Sequence, residues 1–297
     1  MEELVSVIIP TYKRDVKILI RAINSVLNQS YRNLEIIVVN DCPEDKNLEK
    51  KINNTIKEIN NSKIQYICLD KNSGACVARN VGIQNSKGKY IALLDDDDEW
   101  TEDKIEKQMN AIKTSDNIGL VYQNYINIDK YGRYKEVKLK KYVQLSDLLK
   151  YNIIGGTSMP LIRKKCFDEV GIFDKELKSS QDFDMWIRIA KKFDISYIDE
   201  PLVKYYYTEG AITRDMQKRL QGWERLIDKN IDLYNKDKNS YNYLLNIIVY
   251  ELMYNGYYKK AFIYLKRAMK VKFFTVQNGK VFMAMFRKIK DGGKRNV

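Results

Sequence analysis

No histidine occurs anywhere in the 297 residues. That absence excludes a Ser-His-Asp or Cys-His catalytic unit and every imidazole metal ligand, so a general base in this chain is expected to be a carboxylate. Cysteine is also sparse. Cys42, Cys68, Cys76 and Cys166 are scattered without a CxxC pair or zinc-type spacing, which indicates reduced, mostly buried thiols rather than a disulfide framework or a structural metal. No apolar run approaches the roughly 18 residues that a membrane-spanning helix needs. The opening Met1-Glu2-Glu3-Leu4 lacks the basic start of a signal peptide, so the expected location is the cytoplasm.

A hydrophobic content of 44% with 31% charged residues suits a soluble globular protein, one large domain or an ordinary domain with an appendage. The net charge of +13 is unevenly placed. Residues 256–297 hold twelve Lys and Arg against Asp291 alone, 12 − 1 = +11, which leaves about +2 for residues 1–255. The basic region has two readings. It lies on an anionic membrane surface, making the protein peripheral at the inner membrane face, or it is a solvated helix face packed on the rest of the chain. A nucleic-acid partner is not expected, because no RNA- or DNA-binding motif accompanies the charge.

Hydrophobic periodicity predicts alternating strands and helices. Leu4 to Ile9 reads as a strand stopped by Pro10, and Val16, Leu19, Ile20, Ile23, Val26 and Leu27 keep the spacing of a one-sided helix. Strands are expected at Leu34 to Val39, Ile64 to Leu69 and Tyr90 to Leu94, with helices at Asp45 to Asn60 and Ala75 to Gln84. This order predicts an α/β fold with a mostly parallel sheet covered on both faces. Tyr12, Asp41 and Asp95 to Asp97 each follow a strand, so such a sheet gathers them along one edge. Further on, Ile118 to Ile128, Gly155 to Ile162, Ile195 to Ile198 and Leu202 to Tyr207 read as strands. Tyr142 to Tyr151, Lys164 to Val170 and Asp182 to Lys192 contain helices, and from about Ala211 the pattern is helical.

The run Asp95-Asp96-Asp97-Asp98-Glu99 needs an electrostatic account. Two carboxylates about 4 Å apart repel by roughly 4 kcal/mol at an effective dielectric near 20, so a proton, a Lys or Arg, or a bound cation is expected among them. An all-oxygen site suits Mg²⁺ or Mn²⁺. The competing reading is a capped helix start, with Asp98 or Thr101 as cap and Asp98, Glu99 and Trp100 opening the next helix.

Several segments occur in a telling order: Ser6-Val7-Ile8-Ile9-Pro10-Thr11-Tyr12, the Asn40-Asp41 strand end, Gly74 to Ile83, the acidic run, and Gln181-Asp182-Phe183-Asp184-Met185-Trp186. Together they resemble the family 2 glycosyltransferases with a GT-A fold, over about residues 4–210, leaving 211–297 as a basic C-terminal helical region. The resemblance implies inverting transfer of a sugar from a nucleotide diphosphate donor, a UDP-sugar, to a glycan or lipid-linked acceptor in surface polysaccharide synthesis, with Mn²⁺ or Mg²⁺. It implies donor-binding positions at Pro10, Tyr12, Asp41, Arg79, Asp95 and Asp96. Tyr12 would stack on the base, Asp41 accept a hydrogen bond from it, and Arg79 pair with the diphosphate. Asp95 and Asp97 match a DxD pair, with Asp97 as metal ligand and Asp96 in the variable middle position. Asp182 matches the catalytic base, and Asp184 is expected to be structural.

The bland readings stand beside these: a core tyrosine at 12, a turn aspartate at 41, a surface ion pair at Arg79, a structural acid at 182. Asn40, Cys42-Pro43 and Thr208 depart from common residues of the family, Thr208 falling where many relatives carry His. A nucleotidyltransferase, or a catalytically silent nucleotide-sugar or glycan-binding module, would use much of the same sequence.

Overall fold

The structure is a computed structural model that describes residues 2–207, 215–273, 275–281 and 283. Along the first half, Val5–Thr11 (β1), Val16–Leu27 (α1), Leu34–Asn40 (β2), Lys46–Ile59 (α2), Ile64–Cys68 (β3), Ala75–Asn85 (α3) and Tyr90–Leu93 (β4) alternate. Glu99–Trp100 (β5), Lys104–Ile112 (α4), Ile118–Ile128 (β6), Tyr134–Val137 (β7), Leu145–Leu148 (α5), Leu161–Arg163 (β8), Lys164–Val170 (α6), Gln181–Ala190 (α7) and Asp194–Tyr206 (β9) follow. Local chemistry sets the helix starts. Asp15 accepts the Lys17 N–H at 2.7 Å and Asp45 accepts the Leu48 N–H at 2.9 Å, each satisfying a donor that the first turn leaves unpaired.

The chain forms two compact units. The first comprises Met1–Gln144, Ile153–Glu176 and Gln181–Gly210, and it contains the whole sheet, ordered β3-β2-β1-β4-β8-β6-β9-β5 with β7 on β6. β1 pairs in parallel with β2 and β4, β2 with β3, and β6 with β9, while β8 is antiparallel between β4 and β6. Six strands therefore share one direction and β5, β7 and β8 oppose it, a mostly parallel sheet. On one face Val5, Val7 and Ile9 pack with Leu19, Ile23 and Val26 of α1, Ile52 of α2, and Ile105 and Met109 of α4. On the other, α3 lies so close to β1 that its Gly82 rests on Ile8.

The second unit comprises Leu145–Asn152, Leu177–Ser180 and Ala211–Val297. Its described helices include α5, Met216–Lys229 (α8), Ile231–Lys236 (α9), Lys238–Tyr254 (α10) and Tyr258–Val271 (α11). Side-chain bonds tie its separate segments together: the Tyr234 hydroxyl donates to the Leu149 carbonyl at 3.1 Å, and Ser240 Oγ to the Ser146 carbonyl at 2.9 Å. Among the described residues no helix is long and apolar enough to cross a membrane.

Several strand limits differ from the pattern-based expectation. β1 continues through Pro10 to Thr11 instead of stopping. Ile8 accepts from Leu94 on the β4 side and Thr11 from Asp41 on the β2 side, so Pro10, in phase with Ile8, turns its missing N–H toward β4, whose pairing has already ended at Leu93. Asp98, Glu99 and Trp100 do not open a helix. Glu99 and Trp100 pair with Lys204 and Val203 as β5, and α4 begins only at Lys104. The expected strand from Gly155 shortens to β8, because Gly155 to Pro160 is spent as a loop. The two strands expected at 195–207 are one, β9, which carries bulges where it crosses Gln123 and Asn124. β7 was not anticipated, being short and largely exposed.

The α3 contact gives a packing test. A Cβ on Gly82 would lie 2.3 Å from Ile8 Cγ2, and Ile8 is wholly buried in the central strand. Gly82→Ala should therefore cost about 1–3 kcal/mol through overpacking, outweighing the helix-propensity gain of about 1 kcal/mol. Urea unfolding should give a lower midpoint; an unchanged or higher one would show that α3 can lift off β1 freely.

Candidate active site

Parallel alignment of β2, β1 and β4 brings their carboxyl ends side by side, so the segments after them meet: Asn40-Asp41, Tyr12 to Arg14, and the acidic run. In open α/β sheets this edge is where ligands bind. Two arginines cross it. Arg14, just past β1, donates from Nε to Asp96 at 2.8 Å and from Nη2 to Asp97 at 3.1 Å. Arg79, on α3, donates from Nη2 to Asp95 at 2.7 Å and from Nη1 to the Gln181 side chain at 3.2 Å. The positive partners that the acidic run demands are thus guanidinium groups of other elements.

The four aspartates have different environments. Asp96 is buried, accepts the Thr11 hydroxyl at 2.7 Å, and is raised by burial to about 6 against the opposing pull of Arg14. Asp98 is fully buried, and burial next to Asp95 and Asp97 pushes its carboxyl well above the ordinary range. It accepts the Ser158 hydroxyl at 2.6 Å. That same Ser158 oxygen takes the Asp95 N–H at 3.0 Å, and Thr157 donates to Asp95 at 3.0 Å. Asp95 and Asp97 keep more exposure, 30% and 19% at the side chain, so they are the members of the run that a ligand can still approach. The backbone carbonyl of Asp97 accepts from Arg21, whose guanidinium lies 3.7 Å from the centre of the Tyr206 ring. Burial would raise Glu99, but hydrogen bonds from Lys204 at 2.8 Å and the Tyr206 hydroxyl at 2.9 Å hold it below its usual value.

The remaining expected residues fall around this edge. Pro10 is buried within β1, immediately before Thr11. Tyr12 is 43% exposed and so is not a core tyrosine. Asp41 is buried and its two oxygens accept the N–H groups of Ser73 and Gly74, each at 2.7 Å, which fixes the entry to α3 where Gly74 has φ of +89°. Burial raises its pKa, partly offset by those two donors. Arg79 is buried, not a surface ion pair. Asn40 hydrogen-bonds the Tyr66 hydroxyl at 2.9 Å through Nδ2 and accepts the Cys42 N–H at 3.0 Å, so these two departures from the family pattern support one another in the turn after β2. Thr208 lies outside the described residues.

Asp182 stands in the first turn of α7, next to Gln181 and therefore next to Arg79. It is half-buried, and burial raises its pKa, while Arg79 lowers it and Asp95 raises it further. Its charge thus interacts with the ion pair Arg79–Asp95. Asp184 is different: it is fully buried and paired with Arg188, which also donates to the carbonyls of Val170, Gly171 and Ile172. That acid fastens the loop after α6 to α7. Trp186 is buried with Nε1 on the Gly155 carbonyl at 3.1 Å, so the helix carrying Asp182 also holds the Gly155 loop.

Among the described residues no group of three or more His, Cys, Asp or Glu is arranged to hold a metal ion by itself. A Mg²⁺-type ion that keeps water and binds through one or two carboxylates plus substrate phosphates requires less. The partly exposed, oxygen-only pair Asp95 and Asp97 at one strand end fits that requirement. Arg14, Thr11, Thr157 and Ser158 were not singled out from the sequence. A signal for Arg14 existed, since a basic residue just past β1 must meet whatever follows the adjacent parallel strand. Thr157 and Ser158 were hidden by reading their segment as a strand.

The Glycosyl transferase family 2 model matches residues 6–171. An uncharacterized glycosyltransferase of Rickettsia prowazekii (strain Madrid E) is 34% identical over 272 residues, spanning 86% of this chain and 82% of the relative. WcaA of Escherichia coli (strain K12), named as a colanic acid biosynthesis glycosyl transferase, is 30% identical over 80% of this chain and 85% of its own. TuaG of Bacillus subtilis (strain 168), named for teichuronic acid biosynthesis, is 30% identical over 72% and 83%. Among solved structures, S. aureus TarS 1-349 in complex with UDP-GlcNAc superposes with a TM-score of 0.62 over 97% of this chain and 92% of that one, at 15% identity. The family model, the full-length relatives and the shared architecture agree, and the chain belongs to glycosyl transferase family 2, with the GT-A fold.

Proposed function

We propose that the protein is an inverting glycosyltransferase that moves a sugar from a UDP-sugar to a hydroxyl of a glycan or lipid-linked acceptor in surface polysaccharide synthesis. The observation that carries this reading is Arg79, which bonds both Asp95 of the acidic run and Gln181 beside Asp182, linking a donor-side carboxylate to a candidate base. The relatives named for colanic and teichuronic acid synthesis support the acceptor class, and the UDP-GlcNAc complex of TarS supports the donor class.

In this reading Tyr12 stacks on the base, with Pro10 and Asp41 shaping its pocket. Arg79 and Asp95 hold the donor, and Asp96, locked by Thr11 and Arg14, sets the position of its neighbours. Asp182 takes the proton of the acceptor hydroxyl as that oxygen bonds to the anomeric carbon; the bond to the diphosphate breaks on the opposite face and its electron pair leaves with UDP. Asp97 would hold Mn²⁺ or Mg²⁺, which when bound offsets negative charge on the departing diphosphate.

The direct test is purified protein with Mn²⁺ and UDP-glucose, UDP-galactose or UDP-GlcNAc, with products resolved by chromatography. UDP release is expected. Pyrophosphate release would instead identify nucleotidyl transfer, and donor binding without turnover a silent module.

Asp182→Asn should lower kcat by about 10²-fold or more, the usual scale of a general base, with an unchanged melting temperature. The base works deprotonated and its pKa is raised by burial. The wild-type rate should therefore fall as pH drops through a value above the ordinary 3.8, and this limb should vanish in the variant. Full activity in Asp182→Asn would remove the residue from this role. Arg79→Lys keeps a charge but loses the planar fork, so the donor KM should rise about tenfold or more. A wild-type KM would place the diphosphate elsewhere.

A further inference from the structure

The second unit carries a basic helix with exposed apolar residues on its outer face. α11, Tyr258-Lys-Lys-Ala-Phe-Ile-Tyr-Leu-Lys-Arg-Ala-Met-Lys-Val271, holds five cations and no acid. Its inner face is accounted for: Ala261, Tyr264, Leu265 and Ala268 are buried. The outer face is not. Lys259, Phe262, Ile263, Lys266 and Lys270 are spaced i, i+3, i+4, i+7 and i+11, which puts them on one side of the helix, and all five are exposed. Phe262 is 44% and Ile263 63% exposed, at the centre of the stripe with lysines on both sides.

An ordinary solvated helix pairs its lysines with acids three or four residues away. Here none is available within the helix, and among the described residues Lys259, Lys260, Lys266 and Lys270 form no ion pair. Lys266 instead places its ammonium 4.6 Å from the centre of the Phe262 ring, covering the apolar residue with a flexible cation. Arg267 turns toward Tyr241 of α10, and Glu224 of α8, which lines the groove beside Ile263, accepts the Tyr264 hydroxyl at 2.6 Å. Glu224 is therefore bonded by Tyr264, a residue of the inner face. After α11 the basic excess continues, with Lys272 and Lys280 and then five more cations against Asp291 up to residue 297.

We propose that this face of α11 docks on an anionic lipid surface. Lysine ammoniums contact lipid phosphates, while Phe262 and Ile263 enter the boundary between headgroups and acyl chains. The pattern is that of an in-plane interfacial helix, with an apolar strip flanked by Lys whose stems reach outward. The occupant is chosen by charge: the stripe is uniformly positive, and each lysine near an anionic leaflet contributes attraction that a neutral one does not supply. The inference is independent of the transferase chemistry, because it concerns residues that take no part in the site at the sheet edge.

The experiment is vesicle sedimentation of the full chain with phosphatidylcholine alone and with phosphatidylcholine containing phosphatidylglycerol. Wild type should pellet with the anionic vesicles, be released by high salt, and remain in solution with the neutral ones. Two variants dissect the stripe, Phe262→Ser with Ile263→Ser, and Lys259→Gln with Lys266→Gln and Lys270→Gln. Each should weaken anionic-vesicle binding roughly tenfold or more, with the thermal melt unchanged because every substituted side chain is exposed. Wild-type partitioning of both variants would overturn the proposal and move any vesicle binding to the residues after 283. Equal binding to neutral vesicles would also overturn it. So would a fall in solution mass of the Phe262/Ile263 variant, which would make the face a contact between two copies, or selective loss of binding to a DNA oligomer by the lysine variant. Activity on UDP-sugars, read in parallel, should be unchanged in both variants, so failure here is separable from failure of the proposed reaction.

Discussion

The ion pairs made by Arg14 and Arg79 are the constraint on which the sheet edge depends. Asp95 to Asp98 follow β4 in succession, and four such carboxylates would repel one another by several kcal/mol if left unpaired at intermediate dielectric. The chain divides the problem among three solutions. Arg14 pairs with Asp96 and Asp97 from one side, Arg79 pairs with Asp95 from the other, and burial beside Asp95 and Asp97 pushes Asp98 well above the ordinary range while the Ser158 hydroxyl pulls the other way. Because the arginines come from the segment after β1 and from α3, the same pairs also lock three elements into one arrangement. Electrostatic need and tertiary geometry are satisfied by the same atoms.

Much of this was legible in the sequence because parallel sheets announce themselves through near-continuous apolar strands, and Val5–Thr11, Leu34–Asn40 and Tyr90–Leu93 are of that kind. Once their order is read, the convergence of Tyr12, Asp41 and Asp95 on one edge follows from topology. What escaped the sequence were features decided by non-local partners. Pro10 stops a strand only when its neighbour on that side still needs a donor, and β4 no longer does. Glu99 and Trp100 look like the acidic, capped opening of a helix, yet their pairing with β9, about a hundred residues away, takes precedence over local propensity. Gly155 to Pro160 has strand-like composition but serves as the loop whose hydroxyls hold the acidic run.

The site residues were readable in proportion to how far their role depends on chemistry alone. Asp182 could be picked out because it sits in a motif, but its coupling to Arg79 through Gln181 required the structure. Asp184, two residues on, is the same residue type with an opposite assignment, since Arg188 and three carbonyls of the loop after α6 absorb it. Arg14 carries no motif of its own. Its importance appears only when β1 and β4 are known to be neighbours, after which a cation following one strand and acids following the other become a single feature.

The absence of histidine gains meaning from this geometry. Imidazole titrates near neutrality without help, whereas a carboxylate must be desolvated or placed beside other negative charge to become a better base. Asp182 meets both conditions, through burial and the influence of Asp95, and Arg79 restrains the shift. The arginine that holds Asp95 therefore also limits how basic the proposed catalytic base becomes. Under the proposed reaction, a donor diphosphate that drew Arg79 toward itself would weaken that restraint at the moment the acceptor proton has to be taken, and would so couple donor binding to base strength through one guanidinium group. No histidine is needed for such a device, only two carboxylates on different elements that share an arginine.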